Sequence, residues 1–196
     1  MKLCFVLALI TLAFGAKDDV VILEKYEPII YKYHRYRNCY GSNLTVVSVP
    51  DNVILTLDNC TKYMDRKYFQ QEPKVYWSIA RPHEFFTLVL LDPNIKSYEP
   101  EECYLLWLVT NIWGYDLVKS NFTDAETIMP YKAPTARVGS GLHRYQFIIF
   151  YQRYKIKPHT LKQKERRMFR LWDWFLKNKQ GKFKGPIAGV QFSTRE

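Results

Sequence analysis

Histidine and cysteine are scarce: four of each are spread over 196 residues, and no Cys/His spacing matches a zinc site. The sequence therefore predicts no metal. A nucleophile elbow and any pair of carboxylates at a useful spacing are also missing, so no cofactor and no catalysis are expected. There is no internal repeat, no low-complexity tract and no linker that would divide the chain. Beyond the first fifteen residues no apolar run is long enough to cross a bilayer, which predicts no transmembrane segment. Acidic residues are the minority, 19 against 29 lysines and arginines, for a formal charge of +10. Such an excess suits acidic partners: anionic lipid, sulfated polysaccharide or nucleic acid. Much of it falls late, between Arg153 and Lys184, so the field is expected to be one-sided; the plainer alternative is a solvated basic face.

The N-terminus differs in kind from the rest. Lys2 precedes an apolar run from Leu3 to Phe14, and Ala13-Phe14-Gly15 places small residues at both positions a signal peptidase reads. Met1–Gly15 is expected to be a signal peptide, and residues 16–196 one domain; 47% hydrophobic and 16% aromatic content suffices for a single well-buried core. A secreted, extracellular location makes nucleic acid an unlikely partner class and leaves none expected. Three acceptor sequons agree with that route, at Asn43, Asn59 and Asn121, and each asparagine is expected on the surface. Cys4 departs with the signal, leaving Cys39, Cys60 and Cys103. A Cys39–Cys60 bridge is preferred because it closes a short loop in the polar N-terminal third, although two other pairings are open. One thiol is left over, either free or paired between chains.

The body of the chain is rich in strand patterns. Val20–Tyr33 reads as a short strand or an arm. Leu44–Leu57 is Val/Thr/Ile-rich and broken at Pro50-Asp51-Asn52, which predicts two short strands around a turn. Further strands are expected at Lys74–Ser78, at Phe85–Leu91 ended by Asp92-Pro93-Asn94, at Tyr104–Ile112 and at Gln146–Tyr151. Only one stretch looks helical. Thr160 and Gln163 have capping-box spacing, and Leu161, Met168, Leu171, Trp172, Phe175 and Leu176 follow at helical intervals until Gly181. Lys162, Lys164, Arg166, Arg167 and Arg170 lie between them, so the helix is expected to pack its apolar face on a sheet and expose a basic one.

Chemistry concentrates around Gly139-Ser-Gly-Leu-His143-Arg144. Gly139 and Gly141 allow a tight loop that turns amides toward an anion. His143 and Arg144 begin a strand, where successive side chains face opposite ways, so only one of them can enter a pocket beneath the loop. Asp92 is held extended by Pro93 at the mouth of an earlier strand. Ser140 is the only tempting nucleophile.

Taken in order, "FTLVLLDPN", "YLLWLVTNI", "YKAPTARVGSGLHRYQFIIFYQ" from Tyr131, and "GPIAGVQF" resemble the phosphatidylethanolamine-binding protein family over roughly Thr45 to Phe192. The resemblance implies a mostly β fold in which a large antiparallel sheet packs on a smaller one, with few helices. It also implies a small surface pocket for phosphate or a phospholipid headgroup. By position, Asp92, Tyr131, His143 and Tyr145 match the family's site residues, with Gly139 and Gly141 beside them. His143 would donate to an anionic oxygen, Asp92 would orient donors or meet an ammonium, and the tyrosines would supply wall and hydroxyl. Leu106 stands where the family carries a histidine, Asn94 where it carries an aspartate, and Ala136-Arg137 where it carries a proline pair. Leu106 makes one wall apolar, and Arg137 would restore a cation if it turns inward. The expected function is therefore a secreted binder of an anionic headgroup or a small amphipathic molecule. The alternative is an extracellular regulatory protein, since some relatives modulate kinases or inhibit serine proteases. It would meet an acidic or protease partner through a basic face that includes Arg166, Arg167 and Arg170.

Overall fold

The computed structural model of the protein describes residues 38–136 and 138–195. The expected signal peptide, the Val20–Tyr33 segment and Arg137 lie outside the described residues. Among the described residues eight strands and two α-helices follow one another: β1 (Leu44–Val47), β2 (Ile54–Leu55), β3 (Lys74–Trp77), β4 (Phe85–Asp92), β5 (Tyr104–Trp113), α1 (Gly114–Lys119), β6 (Glu126–Met129), β7 (Leu142–Gln152), α2 (Leu171–Lys177) and β8 (Phe183–Arg195). They form a five-stranded antiparallel sheet in the order β6-β5-β4-β7-β8 and a three-stranded one in the order β2-β1-β3.

The large sheet is buried on both faces, which is why β4 and β5 read as continuous apolar runs instead of alternating ones. One face carries Leu88, Leu90, Phe147 and Val190 against Leu44, Val46, Leu55 and Val75 of the small sheet. The other carries Val89, Leu91, Leu105 and Ile148 against Leu171, Trp174 and Phe175 of α2 and against Ile156 and Phe183. Each such side chain, fully buried, contributes about 1.5–3 kcal/mol of transfer free energy. Phe69, wholly buried between the elements, stacks on Phe192 with ring centroids 4.3 Å apart.

Two bulges shape β5. Leu90 pairs with Trp107 and Leu91 with Leu105, so Leu106 is an extra residue with no partner on β4. A bulge of this kind re-aims its side chain and increases local twist. The second lies between the pairs Phe86↔Ile112 and Leu88↔Val109, where Asn111 takes φ 58°. There the Asn111 side chain donates to Glu126 and to the Ile156 carbonyl, and accepts from the Ile156 amide.

The predicted helix from Thr160 to Gly181 is cut short. Two 3-10 turns, at Gln163–Arg166 and Lys179–Gly181, and α2 form instead, and the capping interaction is between Glu165 and the Lys162 amide, not Thr160 and Gln163. The cause is non-local. Phe169 and Cys103 exchange both backbone hydrogen bonds at 3.0 Å, which draws the chain out of helix, and Met168 beside them sits at φ 49°. Leu171, Trp174 and Phe175 are buried, whereas Met168 and Leu176 are more than half exposed. α1, β6 and the full length of β8 have no counterpart among the elements expected from periodicity.

Candidate functional site

The large sheet brings the carboxyl end of β4 beside the start of β7: their ladder runs to Leu91↔Gln146, and Asp92 and His143 lie just past it. Asp92 Oδ1 accepts from the Asn94 amide at 2.9 Å, closing a turn on Pro93, while Oδ2 meets His143 Nδ1 at 2.5 Å. The other ring nitrogen, Nε2, is 2.8 Å from Ser140 Oγ. Gly139 at φ 78° and Gly141 at φ 91° bend the loop back far enough to make that contact, a conformation side chains with a Cβ rarely adopt. Asp92 and His143 are 3% and 4% exposed, so the pair is desolvated. With Asp92 ionised and accepting from Nδ1–H, a neutral imidazole presents its lone pair at Nε2, and Ser140 donates to it.

A cavity of about 570 Å³ opens above this chain of hydrogen bonds. Its floor is Asp92, Ser140, His143 and Tyr145, and Leu106 reaches it because of the bulge in β5. Lys96, Lys132 and Arg167 bring positive charge to its walls, and Ile95, Tyr98, Tyr104 and Met168 supply apolar and phenolic surface. Lys132 Nζ donates to the Tyr104 hydroxyl at 2.9 Å and lies over its ring. Burial pushes the Tyr98 phenol up, which keeps it a donor.

Of the residues singled out in the sequence, Asp92, His143, Tyr145 and Leu106 share the cavity, and Ser140 joins them. Arg144 faces the other way, with Nη1 3.3 Å from Asn94 Oδ1. Tyr131 does not line the cavity. Its hydroxyl donates to the Phe69 carbonyl at 2.6 Å and its ring packs edge-on against Trp107, so it is a core residue. Both nitrogens of His143 are engaged, Nδ1 with Asp92 and Nε2 with Ser140. Lys96, Lys132 and Arg167 escaped notice as site residues because isolated cations carry no local signature.

The basic face is not as expected either. Arg166 is buried, donating from Nη1 to the Leu105 and Leu106 carbonyls, from Nη2 to the Pro130 carbonyl and from Nε to Gln163 Oε1. These carbonyls lie where the β5–β6 ladder has ended, and the guanidinium supplies the donors that a strand would have supplied. Arg167 turns to the cavity, and Arg170 pairs with Glu102 at 3.3 Å. Cys39 and Cys60 are joined, and Cys103 is a buried thiol donating to the Phe169 carbonyl. Asn43 and Asn121 are exposed, but Asn59 is half-buried and its side chain holds the turn between Ile54 and Thr56. Among the described residues no group of His, Cys, Asp and Glu is arranged to hold a metal ion, and no helix is long and apolar enough to cross a membrane.

Comparison with known proteins adds the following. A 26 kDa secreted antigen of Toxocara canis is 28% identical over 96 residues, 48% of this chain and 34% of the antigen. The chain spans 34–39% of the length of the curated relatives it matches. The phosphatidylethanolamine-binding protein from Plasmodium vivax superposes with a TM-score of 0.63 at 18% identity, covering 90% of this chain and 97% of that one. Carboxypeptidase Y inhibitor, solved with its cognate proteinase, superposes with a TM-score of 0.59 at 15% identity, covering 89% and 94% of the two chains. These two structural likenesses speak for the fold. The sequence model of the phosphatidylethanolamine-binding protein family matches residues 48–184, most of the described residues and the whole of the β4–β7 site, so the chain belongs to that family.

Proposed function

We propose that the protein is exported after loss of Met1–Gly15 and binds a small ligand that joins an anionic headgroup to an apolar portion. The observation that carries this reading is the make-up of one cavity: Lys96, Lys132 and Arg167 around a floor of Ser140, His143 and Asp92, with Leu106, Ile95 and Met168 as apolar wall. Hydrogen bonds from cations to phosphate or carboxylate are roughly twice as strong as neutral ones, and here three cations converge on a space of ligand size. Leu106 removes a donor and offers contact to carbon, which favours an amphipathic ligand over a bare phosphate. The Ser140 hydroxyl on the floor adds a neutral hydrogen-bonding group beside the cations. Export is supported by the charged, apolar and small-residue pattern at the N-terminus and by the secreted antigen among the relatives. Glycans on the exposed Asn43 and Asn121 belong to the same reading.

The test is native mass spectrometry of protein secreted from eukaryotic cells and deglycosylated, beside His143→Ala. A small molecule retained by the wild type and missing from the folded variant is expected. An empty wild-type protein that also fails to bind added phosphoethanolamine would overturn the reading.

A regulatory role toward an extracellular acidic or protease partner is the second reading, supported by the proteinase bound to a neighbour in fold. Its physical basis is narrower than the sequence suggested. Of the three arginines expected to form the face, one is buried, one lines the cavity and one is paired with Glu102.

A further inference from the structure

Asp92, His143 and Ser140 stand in the order and at the distances of an activated serine. The carboxylate accepts from one imidazole nitrogen at 2.5 Å and the hydroxyl sits 2.8 Å from the other. Each requirement is met by a separate feature of the fold. The second carboxylate oxygen of Asp92 is tied to the Asn94 amide, which stops the carboxylate rotating. Burial at 4% exposure holds His143 in one rotamer, with the Tyr145 ring roughly parallel to it at 6.3 Å between centroids. Ser140, half-buried, faces a cavity able to admit a substrate. A positive group shares the cavity wall: Lys96 Nζ is 3.9 Å from the place a Cβ on Gly141, the residue after Ser140, would occupy.

We infer that Ser140 is a nucleophile, activated by His143 with Asp92 as positioning residue, that takes the acyl group of an ester carrying an anionic substituent. Ser140 Oγ bonds to the ester carbonyl carbon as its proton passes to His143 Nε2, and Lys96 faces the developing oxyanion. The bond from that carbon to the alcohol oxygen then breaks, and the leaving alkoxide takes the proton from Nε2. Water, deprotonated by Nε2, attacks the acyl carbon, releasing the acid and restoring the Ser140 hydroxyl, so that ester and water give acid and alcohol. Lys132 and Arg167 would hold the anionic substituent and Leu106 the hydrocarbon next to the scissile bond.

This inference rests on the same cavity as the binding reading, and the two fail separately. The test uses an alkyl fluorophosphonate on the secreted full-length protein, which forms an Oγ–P bond and expels fluoride, followed by intact mass and peptide mapping. A single adduct on Ser140 is expected, lost in Ser140→Ala. Labelling should be about 100-fold or more slower in His143→Gln, in keeping with the size of general-base assistance. Asp92→Asn should slow it similarly and Asp92→Glu restore part of the rate, which a merely structural carboxylate would not do. Should His143→Gln fold poorly, Ser140→Cys supplies a second readout. Its thiol should alkylate with iodoacetamide at neutral pH at least about tenfold faster than a free cysteine, through proton transfer to His143. Phosphoethanolamine binding by a folded protein that shows no Ser140 adduct overturns this inference and spares the binding reading. An adduct without phosphoethanolamine binding does the reverse. An adduct on another residue, or a Ser140→Cys thiol of ordinary reactivity, also overturns it.

Discussion

Replacing Arg166 by methionine should unfold the protein at a markedly lower temperature, although the residue lies in what reads as a basic surface stretch. Methionine keeps the unbranched stem and its packing while removing every donor, so the change isolates hydrogen bonding from volume. Three backbone carbonyls lose a charged donor at 2.6 to 3.2 Å, and Gln163 loses its partner at 2.8 Å. A hydrogen bond to a charged group is worth about 1.5–3 kcal/mol, but the losses do not add. The guanidinium's desolvation, which pulls its pKa below the usual value, is recovered when it is removed. The Leu106 carbonyl also keeps the Lys132 amide at 2.9 Å. A net loss of about 3 kcal/mol follows, and at about 2–4 °C per kcal/mol for a chain of this size the melting temperature should fall by about 6–12 °C. The assay is a thermal melt followed by circular dichroism beside Arg167→Met. That control should stay within about 0.5 kcal/mol because its side chain is exposed. Because Arg166 also braces the bulge that aims Leu106, ligand retention should drop with stability in Arg166→Met. A melting temperature within about 2 °C of the wild type would refute the reasoning, since it is less than the loss of a single charged hydrogen bond.

Leu106→His returns a donor to the cavity wall, and phosphoethanolamine affinity should rise about fivefold by calorimetry, the worth of one modest hydrogen bond. Unchanged affinity would mean that this wall does not meet the headgroup. Burial, then Glu72 and then Tyr145, raise the Tyr131 phenol, and burial raises Tyr40. A folded value above the unfolded one means that the contribution is full below pH ~10 and lost as pH rises beyond it, so the denaturation midpoint should decline above pH ~10 and less steeply in Tyr131→Phe. Cys103 is wholly buried, so it should react with a thiol reagent only after unfolding, and a non-reducing gel should show no disulfide dimer. A dimer band that reductant removes would contradict the position of Cys103.

The strands of the two sheets were legible where the cause is local. Phe85–Leu91, ended by Asp92-Pro93-Asn94, and Tyr104–Ile112 are long apolar runs, and a strand buried on both faces needs little else to be recognised. Part of the candidate site was legible, because Asp92-Pro93-Asn94 and Gly139–Arg144 each mark a chain reversal at a strand end and together resemble a family's motifs, but its three cations were not and Tyr131 lies outside the cavity. Leu106 could be placed by that resemblance alone; the bulge that turns it inward exists only in the register between β4 and β5.

What the tertiary structure decided has a different scale. Ser140 reaches His143 through a loop whose path depends on two glycines with positive φ, and the separation of three residues was compatible with contact or none. Helical spacing assigned Arg166, Arg167 and Arg170 to one outer face, which holds only if the helix exists. It is broken by hydrogen bonds between Phe169 and Cys103, 66 residues apart, after which neighbouring arginines part: one to the carbonyls left open at the end of a ladder, one to the cavity. Composition and periodicity report the preferences of a residue and its near neighbours. Which unpaired backbone group a cation will satisfy depends on strands that meet only once the chain has folded.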